Sequence, residues 1–250
     1  MNKQIIEIFG AFIGDGWIQN DEKALYITGD RTEDKRYYDE FIAPLFSKHF
    51  IEIKPKEFPY WKVYGIGCYK KDVINKALKL GFQKGKKCYL AKIPEKIMNS
   101  NNLEITKSIL RGIFDTDGSF WCEKSNAKTS CEWKRTHNYH PEFGISSCSK
   151  KLVDQIHILL KKLNIESKVA HKNKKGFKNN RNNNDSYALR IRKKSEIERW
   201  FNIIGTNNPR HQTRYAVWEK LGHLPPRTTI KERIIILKNY HKHLYSSFSK

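Results

Sequence analysis

A short segment of apolar residues and glycine ending in Asp-Gly occurs twice in this chain, with a spacing of 102 residues. The first copy is Ile8-Phe9-Gly10-Ala11-Phe12-Ile13-Gly14-Asp15-Gly16, and the second is Leu110-Arg111-Gly112-Ile113-Phe114-Asp115-Thr116-Asp117-Gly118. A fixed period of this kind limits the fold to arrangements in which one unit is built twice. Taken alone, either copy would be an ordinary helix stop. The surroundings repeat too.

Each copy leads into a predicted hairpin. After Gly16 come Trp17-Ile18-Gln19 and Ala24-Leu25-Tyr26-Ile27-Thr28; after Gly118 come Ser119-Phe120-Trp121-Cys122 and Glu142-Phe143-Gly144-Ile145-Ser146. Amphipathic periodicity predicts helices over 33–48 and 149–163. Second strand pairs are expected at 51–57 with 63–69, and at 167–171 with 187–192. Closing helices are expected at 71–80 and 195–204, the latter opened by a capping box, Ser195-x-x-Glu198. The order predicts an α+β fold of two pseudo-symmetric αββαββα halves, residues 1–99 and 100–224, each with an antiparallel sheet. An extension, 225–250, follows Pro225-Pro226, carries a second capping box at Thr229 and Glu232, and should pack outside one half. The Asn- and Lys-rich stretch 173–185 reads either as a mobile hairpin tip or as a loop that follows a polyanion.

The repeated segment is read as a helix whose end is marked by Asp-Gly, with glycine in a favoured C-terminal position. Gly10 and Gly14 share one face, as do Gly112 and Thr116, so two such helices can pack closely. Their ends then emerge together, bringing Asp15 beside Asp117. An acid at a helix C-terminus opposes the macrodipole by about 0.3–1 kcal/mol, and two acids repel. A divalent cation reverses both effects, because carboxylates and helix-end carbonyls are hard oxygen ligands.

Charge names the partner class. Lys and Arg number 48 against 26 acids, a net charge of +22. Such an excess favours a polyanion, because each neutralised phosphate releases counterions. A 38% hydrophobic content argues against wholesale disorder. No run approaches the ~20 apolar residues of a membrane span, and no secretion signal is evident, so an intracellular location is expected, in a prokaryotic cytoplasm or nucleoid or in an organelle. Five cysteines without paired spacing fit a reducing compartment. Cys122, Cys131, His137, His140 and Cys148 lie near one another but lack a C-x-x-C anchor, so buried and loop roles are expected over a zinc site.

At these residues the chain resembles the LAGLIDADG homing endonucleases, in their monomeric two-motif form from archaeal and organellar introns, over residues 5–222. Gly10, Asp15 and Gly16 match the motif in the first copy, and Gly112, Asp117 and Gly118 in the second. The second copy also keeps the family's earlier acid as Asp115, where the first has Ile13. The resemblance implies saddle-shaped sheets over the major grooves of double-stranded DNA and hydrolysis of both strands to leave 3′ overhangs. It implies Asp15 and Asp117 as catalytic metal ligands, helped by the Gly14 and Thr116 carbonyls. Mg2+ is the expected ion, with Mn2+ substituting and Ca2+ binding without supporting cleavage. A basic residue near each scissile phosphate is implied: one of Lys84, Lys86 and Lys87 (with Lys86 and Lys87 carried forward), and Arg210 in the stretch 207–214. Strand residues facing away from the helices would read DNA. These are Gln19, Asp21, Thr28, Lys62 and Tyr64 in the first half, and Ser119, Trp121, Glu123, Arg190 and Arg192 in the second, with Arg214 as a further contact. A one-residue slip would reverse each assignment.

Two other uses of the scaffold remain open: a maturase that binds its own intron RNA, and a DNA-binding regulator without catalysis. Retention of both acids favours the nuclease. The chain begins with Met and lacks the starting nucleophile and His-Asn ending of protein splicing, so an intein origin is not expected.

Overall fold

The computed structural model describes residues 2–123, 140–172 and 185–247. Helix α1 (Lys3–Asp15) starts where the Asn2 side chain accepts from the Gln4 amide at 2.8 Å. Helix α6 (Leu103–Asp117) starts the same way at Asn102. Both end one residue before a glycine, but neither glycine is left-handed. Gly16 (φ −88°, ψ 156°) and Gly118 (φ −79°, ψ 163°) are extended and begin a strand at once. Their lack of a side chain serves a close approach instead. A Cβ on Gly16 would fall 2.1 Å from the Phe12 ring, and one on Gly118 would fall 2.0 Å from the Phe114 ring. The expectation of a glycine cap is thus corrected: the residue is needed because each strand folds back across the aromatic ring of its own helix.

Four strands follow each of these helices. The first sheet contains β1 (Gly16–Ile18), β2 (Leu25–Asp30), β3 (Lys56–Phe58) and β4 (Val63–Cys68), in the order β1-β2-β4-β3. The second contains β5 (Gly118–Glu123), β6 (His140–Ser147), β7 (Lys168–Lys172) and β8 (Ser186–Ile191), in the order β5-β6-β8-β7. All pairings are antiparallel, and the first pair of each sheet has equivalent register, Gly16 opposite Ile27 and Gly118 opposite Ile145. The two four-stranded sheets and their covering helices make an α+β fold of two pseudo-repeat halves.

Between the hairpins lie α2 (Lys35–Tyr37), a π-helical turn (Tyr38–Ile42) and α3 (Ala43–His49) in the first half, and α7 (Lys150–Lys162) in the second. Then come α4 (Lys71–Lys79) and α8 (Lys194–Ile203). They cover one face of each sheet, where Ile18, Leu25, Ile27 and Ile66, and Phe120, Phe143, Ile145 and Leu189, are buried. The opposite faces carry the alternate residues.

Two local expectations are corrected. Residues 51–55 are not strand; β3 begins only at Lys56. Ser195 is not a cap: α8 begins at Lys194, with Lys193 in the cap position and no side-chain cap bond. The stretch 207–214 is largely helical, the start of α9 (Pro209–Leu221), capped by Asn208 and closed by left-handed Gly222. The second capping box does form, with the Thr229 amide donating to Glu232 at 2.7 Å and the Glu232 amide to the Thr229 hydroxyl at 3.3 Å. It opens α10 (Ile230–Ser247), which packs on α9. This extension touches both halves: Arg233, its side chain 1% exposed, donates to Thr213 of the second half and reaches Glu33 of the first at 3.2 Å. A short α5 (Glu95–Met98) completes the helices among the described residues.

Candidate active site

The two halves meet along α1 and α6. A Cβ on Gly10 would sit 2.6 Å from the Ile109 carbonyl oxygen and 3.0 Å from the Gly112 Cα. One on Gly112 would sit 2.3 Å from the Glu7 carbonyl oxygen. These are backbone-to-backbone distances, so glycine is required at the crossing. Farther along, a Cβ on Gly14 would lie 2.2 Å from the Thr116 hydroxyl and 3.1 Å from the Asp117 carboxyl carbon. The helix pair therefore carries Asp117 across the end of α1, next to Asp15.

Ionisation is difficult for both acids. Burial, then the charges of Asp117 and Asp34, push Asp15 up to about 7 against the hydrogen bond it accepts from the Tyr38 hydroxyl at 3.0 Å. Asp117 rises to about 6 through burial, opposed by Lys87 and Arg210. Asp117 is solvent-accessible yet surrounded by protein, because it lies where two open concavities meet. Its neighbour in sequence differs. Asp115 is fully buried and accepts from the Thr206 hydroxyl and from the Asn207 amide at 2.9 Å. Among the described residues, none donates a hydrogen bond to the Asp117 carboxylate. Asp115 is bonded into the framework, whereas Asp117 is left open to a ligand.

One cation touches each helix end. Lys87 Nζ donates to the carbonyls of Phe12, Ile13 (2.7 Å) and Gly14 (3.1 Å). Burial draws it down to about 8, offset in part by Asp117 and Asp15. Arg210 donates from Nη2 to the Thr116 carbonyl at 3.3 Å and from Nη1 to Asp34 at 3.2 Å. Gly14 and Thr116 are equivalent under the repeat, so Lys87 and Arg210 are equivalent in role although they come from different elements. Lys86 is exposed, and Lys84 is paired with Glu22 on the surface. Neither has a contact with the acids.

Sequence reasoning missed the residues that lock this arrangement. Asp34 is buried and accepts from the Asn208 side chain at 2.8 Å as well as from Arg210. Asn208 also donates to the Asp115 carbonyl at 2.8 Å, joining the halves. Glu7 receives Arg111 in two bonds of 2.7 Å and the Asn207 side chain at 2.6 Å. Asn208-Pro209 carried a signal, since a cap residue before proline marks a helix start. Asp34 carried none.

The candidate DNA-reading residues are distributed unevenly. Register places Trp17, Tyr26, Thr28 and Gly67 on the uncovered face of the first sheet, with Gln19 just beyond β1. Asp21 lies in the β1–β2 turn, paired with Lys23 at 3.2 Å. Lys62 occupies the β3–β4 turn with φ 56°. Tyr64 is on the other face: it is opposite Gly29, and its hydroxyl donates to Asp39 of the π-helical turn at 2.5 Å, which corrects its assignment as a DNA reader. In the second sheet Ser119, Trp121 and Arg190 line one concavity with Asp117. Arg190 and Arg192 share the buried Glu142, and Arg190 sits over the Trp121 ring at 5.8 Å. Arg214 is likewise corrected: it is turned inward near Glu33 (3.7 Å), with burial and Arg233 drawing it down to about 10. The Glu123 side chain, Cys131, His137 and most of 173–185 lie outside the described residues. Cys122 is buried on the covered face, its thiol pushed up to about 12 by burial. No group of three or more His, Cys, Asp or Glu suited to a metal ion occurs among the described residues, and no described helix is long and apolar enough to cross a membrane.

Two four-stranded sheets hung on a pair of glycine-packed helices, with an acid at the end of each helix, define the LAGLIDADG class of fold. Residues 104–205 match the family model of the LAGLIDADG-like domain. The fold is shared with the homing endonuclease I-DmoI in complex with DNA and Mn, at a TM-score of 0.51 and 15% identity over 82% of this chain and 98% of that one. Full-length DUF199/WhiA from Thermatoga maritima gives a TM-score of 0.50 and 13% identity over 99% of this chain and 69% of that one. A replication factor C small subunit from Methanocaldococcus jannaschii is 28% identical over 211 residues, covering 84% of this chain. The chain spans 10% of the length of that curated relative.

Proposed function

We propose that this chain is a site-specific DNA endonuclease that hydrolyses both strands of a long duplex target and leaves 3′ overhangs, with Mg2+ as its cofactor. One observation carries the reading. Of two acids on the same helix, Asp115 is fully engaged by framework donors, while Asp117 lies in an open concavity beside Asp15 without such a donor. Burial raises both carboxylates beside helix-end carbonyls, so a cation reaching them would favour their charged forms, in a chain of net charge +22.

The donor set fits magnesium. That ion prefers oxygen, keeps several waters and is commonly held by one or two carboxylates together with substrate phosphate. Asp15 and Asp117, with the Gly14 and Thr116 carbonyls, would hold it; Mn2+ would replace it, and Ca2+ would occupy the site without supporting cleavage. The metal would supply an activated water and stabilisation of the leaving oxygen. Lys87 and Arg210 would stabilise negative charge developing on phosphate oxygens, an electrostatic role that needs fixed donors. Their bonds to helix-end carbonyls keep both cations beside the acids. Gln19 and Thr28 in one half, and Ser119, Trp121, Arg190 and Arg192 in the other, would meet base edges. The protein would act as a monomer, because one chain supplies both acids.

Cleavage and binding must be measured separately. Asp15→Asn and Asp117→Asn should each abolish double-strand cleavage of a selected target in Mg2+ while retaining affinity in Ca2+. If both variants cut like the parent, the site is wrong. A parent protein that binds duplex and never cuts would instead support a regulator on this scaffold, and stimulation of splicing without cleavage would support the maturase.

A further inference from the structure

The uncovered faces of the two sheets differ at equivalent positions. Trp17 pairs with Tyr26 and Tyr26 with Gly67; under the repeat these positions correspond to Ser119, Gly144 and Arg190. Across these three positions the second half presents a hydroxyl, a glycine and a guanidinium, and the first presents two rings and a glycine. Phe58, Trp61 and Tyr69 extend them into one cluster, with ring centroids 5.3 to 6.2 Å apart. Tyr26 is buried at its centre, while Trp17, Trp61 and Tyr69 are exposed. An exposed apolar cluster in so polar a chain calls for a partner.

We infer that this aromatic face is a specificity surface that recognises thymine C5-methyl groups in the half of the duplex bound by the first sheet. The inference rests on the endonuclease reading and goes beyond it by assigning base preference. Continuity fixes the location: Trp17 is two residues from Asp15, on the strand leaving the candidate site. Charge fits a phosphate-lined groove, because Lys56 Nζ lies 5.3 Å from the Phe58 centroid and 5.4 Å from that of Tyr69. In the major groove, thymine presents an apolar methyl group that no other DNA base carries there.

The ring geometry favours methyl contact over stacking on unpaired bases. A stacking platform needs open ring faces. Here Trp17 lies at 16° to Tyr26, and Phe58 at 24° to Trp61, so the rings already stack on each other. They also pack onto backbone: a Cβ on Gly67 would meet Phe58 at 3.0 Å and Tyr26 at 3.1 Å. Rings held this way form a fixed apolar floor that a methyl group can press against.

The test uses the full chain, Ca2+ and a duplex library with a randomised tract. Retained duplexes are resynthesised with deoxyuridine for thymidine, one half at a time, which removes the methyl group alone. Affinity should fall about fourfold per contacted thymine in one half, with little change in the other. Trp61→Ala and Trp17→Ala should erase that difference while keeping salt-dependent binding. Equal affinity for thymine and uracil duplexes overturns the inference and leaves the endonuclease reading standing. So does preferential capture of single-stranded DNA or RNA that the tryptophan variants lose, which would mark a stacking platform. Failure to retain any duplex sinks both.

Discussion

The helix crossing can be tested by adding a single methyl group. In Gly10→Ala the new Cβ meets the Ile109 carbonyl oxygen at 2.6 Å, the Gly112 Cα at 3.0 Å and the Ile113 nitrogen at 3.1 Å. All three are backbone atoms of α6, so no side-chain rotation relieves the contact. The helices must separate or shift. Alanine gains about 1 kcal/mol over glycine in helix propensity, while overpacking a well-filled interior costs about 1–3 kcal/mol. The rigid neighbours put this site at or beyond the upper end, so a net loss of about 2 kcal/mol is expected, or roughly 4–8 °C in Tm for a chain of this size. Thermal and urea unfolding measure it. The same displacement moves Asp15 away from Asp117, so cleavage in Mg2+ should fall more than stability alone explains at a temperature where the variant remains folded. A Gly10→Ala protein at least as stable as the parent would refute the close crossing, because the contact would then cost no more than the propensity gain.

Other consequences concern charge. Asp15 binds its proton up to about pH 7 in the folded chain against an ordinary value of 3.8, so its contribution to stability in the absence of metal falls as pH rises through that window. Asp15→Asn should therefore raise Tm in EDTA by more at pH 8 than at pH 5; an equal change at both would remove the argument. Arg233→Ala deletes a buried guanidinium linking the extension to Glu33 and should cost about 3 kcal/mol, read by urea unfolding; an unchanged midpoint would show that the extension only rests on the surface. Duplex binding should weaken steeply between low and moderate salt, and a flat response in a filter-binding titration would argue against an extended phosphate interface.

What could be read in the sequence was what a repeat or a period encodes. Gly10 with Gly112 and Asp15 with Asp117 stand out because two copies align, and side-chain alternation along the strands identifies Thr28, Ser119 and Trp121 as facing away from the helices. What could not be read were contacts made across long separations by residues outside any pattern. Asp34 is 174 residues from Asn208 and 176 from Arg210, and no local rule links them. Tyr64 shows the opposite failure, since a hairpin turn at Lys62 with positive φ sets which face the strand presents, and the turn's conformation was not encoded in the apolar pattern. Arg214 misled because a basic residue on a basic chain reads as surface, whereas α9 turns it toward Glu33.

The equivalence of Lys87 and Arg210 explains why the duplication is exact in its acids and loose elsewhere. Each cation bonds to the carbonyl just before a site aspartate, at Gly14 and at Thr116, yet one comes from the stretch that follows α4 and the other from α9. Any donor that reaches the helix end offsets the negative end of the macrodipole and the neighbouring carboxylate, so the position of charge is constrained while its source is free. The aspartates have no such freedom, because a carboxylate can face the other half only from the last turn of a helix whose glycines permit the crossing. Reciprocal exchange, Lys87→Arg with Arg210→Lys, should therefore preserve more activity than either change to alanine. If the exchange were as damaging as Lys87→Ala with Arg210→Ala, each side chain would have a chemical role beyond its charge.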